Sequence, residues 1–283
     1  MEKYRAIVLD MDGTLLNNQN EICEPIKGVI EEIRQQGVYV FIATGRTMKE
    51  AQGVMPNDFK VDGFVTANGM SVSIGDEVLV EHALPEKVVR AVIDGAKKVN
   101  VYYEVHPIKG SRYLLKDDYQ MVKNHLVEPK PHTVDENEWL YLHDDFDKEI
   151  HWVEELIYSN VTKMYFFSRD RKQIDEWKKE LASLQSTYEF SMFSSTAHNV
   201  EVTVANLSKA TGVKKLLEHM EILPNEVMAV GDGENDLPLF NYIGYPVAMK
   251  NGTPIVRSAA KEVTRFTNED DGLYHFLKDS FLG

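Results

Sequence analysis

The stretch that decides the fold is Arg5 to Leu16, RAIVLDMDGTLL. Its first half is a short apolar, partly β-branched run that stops at an acidic loop, which is typical of a buried strand followed by a loop. From Ile22 to Gln36, apolar residues recur at the spacing of one helical face, and Gly37 follows where a C-terminal cap belongs. The next apolar run, VYVFIATGR, predicts a second buried strand.

The same pattern returns late in the chain. A predicted helix, KATGVKKLLEHM, precedes the apolar run VMAV at Val227 to Val230, which ends at the acidic loop GDGENDLP. PVAM and EVTRF indicate further short strands. Strands with continuous apolar runs that alternate with amphipathic helices predict a parallel sheet covered on both faces, an α/β fold.

Between these halves the sequence changes character. Aromatic-rich runs such as VYYEVH, RYLLK and KMYFFS mostly alternate, as in a sheet with one face toward water. The polar, proline-bearing segment 123–139 predicts a loop or a short irregular helix. We therefore expect an inserted α+β domain over 84–196, with 1–83 and 197–283 forming the two parts of the α/β domain.

The composition restricts the class of protein. Of 283 residues, 43% are hydrophobic and 27% charged, as in an ordinary globular protein. The net charge of −14 argues against a nucleic-acid partner, which would require clustered cations. Cys23 is the single cysteine, so no intrachain disulfide can form. The short first apolar run is too brief for a signal peptide, and no run is long enough for a membrane span, so we expect a cytoplasmic protein without a membrane partner.

Two acidic clusters follow predicted buried strands at opposite ends of the sequence. Asp10 and Asp12 are two positions apart after the first strand, and Asp232 to Asp236, DGEND, follow a late one. Ligands gather at the carboxyl ends of strands in open α/β sheets, so both clusters can share one site of hard oxygen ligands that suits Mg²⁺. The alternatives are a plain Asp-Gly turn for the first cluster and an Asx-rich loop or calcium site for the second.

Two further segments carry hydrogen-bond donors. Thr44-Gly45-Arg46 closes the second predicted strand with a hydroxyl group and with a glycine that permits close backbone approach to a ligand. Lys209 follows Ser208, a predicted helix cap, so its ammonium group would lie at a helix N-terminus that favours anions. Taken singly, a threonine at a strand end is more often an ordinary cap or turn residue, and a lysine is more often a solvated surface residue.

The segments DMDGTLL, ATGR, SKATG and GDGENDLP occur in this order and together resemble the haloacid dehalogenase superfamily of phosphotransferases. The large insert between the second and third segments resembles the Cof-type subgroup, whose cap domain lies there. The resemblance implies a Rossmann-like parallel-sheet core domain with an inserted α+β cap. Ala210 departs from the pattern, because many relatives have glycine after the lysine.

The resemblance also implies a role for each matching residue. Asp10 would be the nucleophile that forms an aspartyl-phosphate, and Asp12 the general acid and base. Thr44 and Lys209 would stabilise the phosphoryl group. The implied metal set is Asp10, Asp12 through its backbone carbonyl, Asp232 and Asp236; the implied phosphate-binding set is Asp10, Thr44, Gly45, Arg46, Lys209 and Asn235. Asn235 and Asp236 could lie in either the first or the second shell of the metal.

The resulting expectation is Mg²⁺-dependent hydrolysis of a small phosphate ester, either a sugar phosphate or a cofactor- or nucleotide-like phosphomonoester. A phosphomutase with the same intermediate and a non-catalytic regulator that binds a phosphorylated ligand remain alternatives. Arg46 and the turn Asn68-Gly69 are secondary candidates for the opening between the domains, although Asn-Gly is equally the commonest hairpin turn. Tyr102, Tyr103 and Tyr165 are expected to fill the core of the insert. The sequence indicates neither the leaving group nor the oligomeric state.

Overall fold

The computed structural model of the chain describes residues 4–146, 148 and 150–283. The chain forms two compact units. The first contains the residues up to Glu81 together with Leu207–Gly283, and the second is His82–Asn206. The chain therefore leaves the first unit once and returns to it once.

Fourteen strands are found in the described residues. In chain order they are β1 (Ala6–Leu9), β2 (Tyr39–Ala43), β3 (Gly63–Thr66), β4 (Ser71–Ile74), β5 (Glu77–Glu81), β6 (Tyr102–Pro107), β7 (Tyr113–Leu115), β8 (His151–Val153), β9 (Val161–Phe167), β10 (Phe190–Phe193), β11 (Asn199–Val204), β12 (Val227–Gly231), β13 (Tyr245–Ala248) and β14 (Glu262–Val263).

The α-helices of the described residues number ten. They are α1 (Glu24–Gln35), α2 (Met48–Val54), α3 (Glu86–Lys98), α4 (Tyr119–Lys123), α5 (Glu136–Phe146), α6 (Arg171–Leu184), α7 (Lys209–His219), α8 (Leu237–Tyr242), α9 (Pro254–Ala259) and α10 (Gly272–Phe281). Among the described residues, no helix has both the length and the apolar character needed to cross a bilayer.

The first unit contains an eight-stranded sheet in the order β14-β13-β12-β1-β2-β3-β4-β5. The six strands from β14 to β3 are parallel, and β4 and β5 extend the sheet as antiparallel hairpins. The two predicted acidic clusters follow β1 and β12, which are direct neighbours. The α/β prediction is thus confirmed, and parallel pairing brings both clusters to the same edge of the sheet.

Both faces of this sheet are covered by helices. Ile7 and Leu9 of β1 pack in one apolar cluster with α1 and α10. Ala6 and Val8 point to the opposite face and pack with α7 and α8. Alternate residues of one strand are therefore buried on both sides, which explains why the strands consist of continuous apolar runs.

The second unit contains a six-stranded sheet in the order β10-β11-β9-β6-β7-β8, antiparallel except for the pair β7 and β8. One face packs against α3 and α6 around Tyr103 and Phe166. On the opposite face, Tyr102 and Tyr165 pack with residues of α4 and α5. All three tyrosines singled out in the sequence are buried, as expected. The prediction that one face of this sheet points toward water is wrong at this end, because α4 and α5 cover the second face there.

Two further features of the second unit differ from the sequence-based expectation. The unit ends at Asn206 and not at 196, because β11 pairs with β9 in its sheet. The segment 123–139, expected as a loop or short irregular helix, contains the start of α5, an eleven-residue helix. Trp139, Leu142 and Phe146 bury its apolar side against the aromatic face of the sheet, and this packing stabilises a helix that the polar sequence alone does not indicate.

Candidate active site

Asp10 is the first residue after β1, at the carboxyl end of the sheet. Its backbone N–H donates to the carbonyl of Val230 in β12 over 3.0 Å. Its Oδ1 accepts a hydrogen bond from the backbone N–H of Met11 (2.8 Å) and lies 2.6 Å from Nζ of Lys209. Within the described part of the chain, the hydrogen bonds to this carboxylate fall on Oδ1, which leaves Oδ2 to approach a ligand.

Lys209 is the first residue of α7 and is fully buried. Ser208 caps the helix by accepting a hydrogen bond from the backbone of Thr211, as the sequence predicts. The ammonium group lies 2.6 Å from Asp10 and 2.7 Å from Oδ1 of Asp236. Burial alone would lower the pKa of Lys209, but the two carboxylates raise it above its usual value, so the lysine stays charged.

The helix that carries Lys209 packs directly on the turn between β3 and β4. Asn68 and Gly69 in this turn have positive φ angles of 55° and 98°. A Cβ atom on Gly69 would lie 2.3 Å from the carbonyl oxygen of Ser208, so only glycine permits this approach. Asn68 and Gly69 do connect two antiparallel strands, as the hairpin interpretation predicts, and the hairpin contacts Ser208, the residue before Lys209.

Three carboxylates from both ends of the sequence converge around this lysine. Asp10, Asp232 and Asp236 each offer one oxygen, and these oxygens lie within 4.8 Å of one another. Asp236 uses its second oxygen, Oδ2, to accept the backbone N–H groups of Asp232 and Gly233, both at 3.0 Å. Both oxygens of Asp236 are therefore engaged, so its main contacts hold Lys209 and the loop after β12 in place.

The electrostatics of this cluster favour a bound cation. Burial and the repulsion of Asp236 raise the pKa of Asp10 well above its usual value. The same causes raise the pKa of Asp232 to about 7. One ammonium group does not compensate three carboxylates of which two are buried and one is partly buried, and their oxygen atoms are the hard ligands that divalent cations such as Mg²⁺ prefer. The donor set therefore fits a divalent metal ion.

Two residues of the first acidic loop support Asp232. The Thr14 hydroxyl donates to Oδ1 of Asp232 over 3.1 Å. Gly13 has a φ of +68°, and a Cβ atom there would lie 2.2 Å from Oδ2 of the same aspartate. Sequence reasoning assigned no role to Thr14, although its place in the DMDGTLL segment, four residues after Asp10, is a usable signal.

The side chain of Asp12 is paired with Arg46 and not with Lys209. Its carboxylate accepts three hydrogen bonds from the guanidinium of Arg46, between 2.6 and 3.1 Å. Burial alone would raise the pKa of Asp12, but Arg46 holds it below its usual value. The Asp12 side chain is thus paired with Arg46 and lies outside the three-carboxylate cluster, which leaves only the backbone carbonyl of Asp12 for the predicted metal contact.

The remaining predicted residues line the same end of the sheet. Thr44 is fully buried after β2, and its hydroxyl oxygen accepts the backbone N–H of Arg46 (3.1 Å), so its own proton is available for donation. Gly45 lies in the bend between these two residues. Asn235 donates from Nδ2 to Oδ1 of Asn68 over 3.3 Å, a link that the sequence did not reveal because 167 residues separate the two.

The sequence profile of the haloacid dehalogenase-like hydrolases matches residues 7–277, nearly the whole chain. This chain belongs to that family. The resemblance inferred from the four segments is therefore confirmed. Solved structures of haloacid dehalogenase-like proteins share the fold over both units of this chain.

Several relatives that match this chain over nearly their whole length are named phosphatases. The chain is 25% identical to the 5-amino-6-(5-phospho-D-ribitylamino)uracil phosphatase YwtE of Bacillus subtilis, covering 99% of both chains. A haloacid dehalogenase-like hydrolase from B. subtilis matches with a TM-score of 0.81 at 21% identity, covering 97% of this chain and 99% of the other. The sugar phosphatase BT4131 matches with a TM-score of 0.72 at 24% identity, covering 98% of each. The expected enzyme class, phosphoric monoester hydrolase, is confirmed.

Proposed function

We propose that this hydrolase removes phosphate from a small phosphate monoester, with Mg²⁺ as cofactor and through an aspartyl-phosphate on Asp10. The observation that carries the proposal is the buried contact of 2.6 Å between Asp10 and Lys209 within a cluster of three carboxylates. A buried ammonium group fixed beside a carboxylate can hold a phosphoryl oxygen next to the attacking oxygen without any rearrangement.

In the first step, Oδ2 of Asp10 attacks phosphorus while the bond from phosphorus to the ester oxygen breaks. Lys209 and the Thr44 hydroxyl donate to the phosphoryl oxygens, and both groups are already fixed by their contacts in the free protein. Asp12 supplies the proton that the departing alkoxide takes up. The products of this step are the free alcohol and a phosphorylated Asp10.

In the second step, water attacks the aspartyl-phosphate. Asp12, now ionised, accepts a proton from the water as the new bond to phosphorus forms and the bond from phosphorus to Asp10 breaks. The electron pair of the broken bond returns to the Asp10 carboxylate. Asn235 donates one amide proton to Asn68 and would donate the other to the phosphate or to a water molecule beside it.

A metal ion would be held by the carboxylates of Asp10 and Asp232 and by the backbone carbonyl of Asp12. When bound, Mg²⁺ supplies positive charge that screens the carboxylates from the phosphoryl group. The contacts of Asp236 with Lys209 and with the loop after β12 support a role in holding these groups in place beside the metal ion and not in binding the ion directly. The net charge of −14 makes such local neutralisation necessary for an anionic substrate.

The named relatives support a small substrate. One acts on a phosphorylated ribitylamino-uracil and another is named a sugar phosphatase, so we propose a phosphorylated sugar, sugar alcohol or related cofactor precursor. The second unit would act as a cap that shields the reaction from bulk water.

The test is release of phosphate by purified protein from a panel of small esters, with and without a chelator. We expect activity that requires Mg²⁺ and is lost in Asp10→Asn, while Asp58→Asn, a change of a mostly exposed aspartate in the same unit, retains it. Acid quenching during turnover of a ³²P-labelled ester should leave label on the peptide that contains Asp10. Full activity of Asp10→Asn would refute the mechanism.

A further inference from the structure

The side chain of Arg46 is directed at the second aspartate of the proposed mechanism. Its Nε lies 3.1 and 3.0 Å from the two oxygens of Asp12, and its Nη2 lies 2.6 Å from Oδ1. Both oxygens of the carboxylate are therefore fixed by one planar group, a forked arrangement that restricts orientation as well as position.

Neighbouring residues fix the guanidinium in turn. Nη2 of Arg46 also donates to Oδ1 of Asn20 over 2.7 Å. The Arg46 backbone is anchored on both sides, because its N–H donates to Thr44 and its carbonyl accepts the N–H of Ala67 over 2.7 Å. The next residue, Thr47, caps α2 with a reciprocal capping box. Arg46 is thus held in place by elements that carry other residues of the site.

We infer that Arg46, together with Asn20, is a positioning residue that orients the Asp12 carboxylate toward the water that cleaves the aspartyl-phosphate. This inference rests on the proposed function and extends it. A guanidinium group only donates hydrogen bonds, so the forked contact suits the ionised carboxylate that takes a proton from water. It does not suit the protonated acid that serves the leaving group. Arg46 thereby acts on the second half of the reaction.

The chemistry of that half is balanced by the groups already present. The water oxygen bonds to phosphorus, the bond from phosphorus to Asp10 breaks, and one water proton moves to the carboxylate that Arg46 orients. The same proton is then available for the leaving group of the next substrate. No further reactant is required.

The experiment uses p-nitrophenyl phosphate, whose leaving group is a stable anion and needs no proton from Asp12. In a two-step mechanism, slowing the second step lowers kcat and KM together and leaves kcat/KM unchanged, because kcat/KM reports only the first irreversible step. For Arg46→Gln we expect kcat to fall on the order of 10- to 100-fold, part of the ~10²–10⁴-fold that a positioned base supplies. KM should fall in parallel, and a rapid burst of about one p-nitrophenolate per active site should precede the slow steady state.

The chain offers a matched control. Arg34 makes the same forked contact with Asp62 in the same unit, at 3.2, 3.1 and 2.7 Å. Arg34→Gln therefore removes an equivalent ion pair away from the acidic cluster and should leave all three kinetic parameters and the burst unchanged. Asn20→Gly removes the acceptor for Nη2 while glycine tolerates the backbone φ of 60° at this position, and it should shift kcat and KM in the same direction by less.

A raised KM with a lowered kcat/KM and no burst in Arg46→Gln would overturn the inference and assign Arg46 to the substrate phosphate. Unchanged kinetics would overturn it as well. If Arg46→Gln fails to fold, as judged by its circular dichroism against Arg34→Gln, Asn20→Gly decides by the same criteria. Turnover by Asp10→Asn would instead refute the proposed function, so the two failures are distinguishable.

Discussion

Gly69→Ala should both destabilise the protein and displace its buried lysine. The new Cβ would lie 2.3 Å from the carbonyl oxygen of Ser208, and 3.1 and 3.3 Å from its carbonyl carbon and nitrogen. Carbon and oxygen normally approach no closer than ~3.3 Å, so the start of α7 must move by roughly 1 Å. Such overpacking costs about 1–3 kcal/mol, and the positive φ of 98° adds about 1–2 kcal/mol for a residue with a side chain.

Gly75→Ala is the matched control. Gly75 also has a positive φ, 52°, in the turn between β4 and β5, but a Cβ there would meet no atom within 4 Å. Both variants lose the freedom of glycine at a positive φ, so the difference between them reports mainly the contact with Ser208. We expect Gly69→Ala to unfold below Gly75→Ala by about 2–12 °C, from ~1–3 kcal/mol at ~2–4 °C per kcal/mol.

Activity provides the second measurement. Lys209 directly follows Ser208, so a shift of roughly 1 Å moves its ammonium group away from the 2.6 Å contact with Asp10. A misplacement of this size in a positioned site can lower turnover on the order of 10²-fold. Gly75→Ala should keep wild-type turnover. Equal unfolding temperatures for the two variants, or full turnover by Gly69→Ala, would refute the reasoning that the hairpin positions the lysine.

Three further predictions concern individual charges. Lys209→Met should lower kcat by on the order of 10²–10³-fold at saturating Mg²⁺, measured as phosphate release, because it removes a fixed donor to the phosphoryl group. Mg²⁺ at about 100 times its dissociation constant should stabilise the wild type by about 2.7 kcal/mol in thermal unfolding, and Asp232→Asn should show a clearly smaller gain. Burial raises the pKa of Glu138 to about 7, so the folded state binds more protons than the unfolded state between pH ~4.5 and ~7. Glu138 should therefore contribute a fall in stability of up to about 3 kcal/mol as the pH rises through this window. Glu138→Gln, unfolded by urea at each pH, should show a fall that is smaller by this amount, because the raised pKa values of Asp10 and Asp232 act in the same direction.

The first unit was predictable because its signals are local. The buried parallel strands β1, β2 and β12 are continuous apolar runs, and each ends at a loop that carries candidate site residues, as at Asp10 after β1. Parallel pairing then brings these loops to one edge without further information. The cap at Ser208 follows from the same kind of local preference, since a hydroxyl group that accepts a backbone N–H is favoured before a helix.

The second unit was harder to predict because its boundaries depend on distant pairing. Strand β11, NVEVTV, has the same alternation as other strands of the insert, yet its assignment to that sheet depends on its pairing with β9 and β10. The start of α5 reads as a polar loop, and its helix is stabilised by Trp139 and Leu142 against aromatic residues far along the chain. One contact in the first unit was also not predictable from local sequence. Asp12 pairs with Arg46, and 34 residues separate the two in the chain.

The cost of the acidic cluster connects the fold with the proposed reaction. Folding brings Asp10, Asp232 and Asp236 together in a buried place where one lysine compensates only part of their charge, which disfavours the folded state without a cation. Phosphoryl transfer adds negative charge at the same place, so the requirement for a cation increases as the substrate binds. A divalent ion would therefore reduce two repulsions with the same contacts. One is the repulsion among the carboxylates of the folded protein, and the other is the repulsion between these carboxylates and the phosphoryl group. For this reason, metal binding should be measurable as a gain in stability even when no substrate is present.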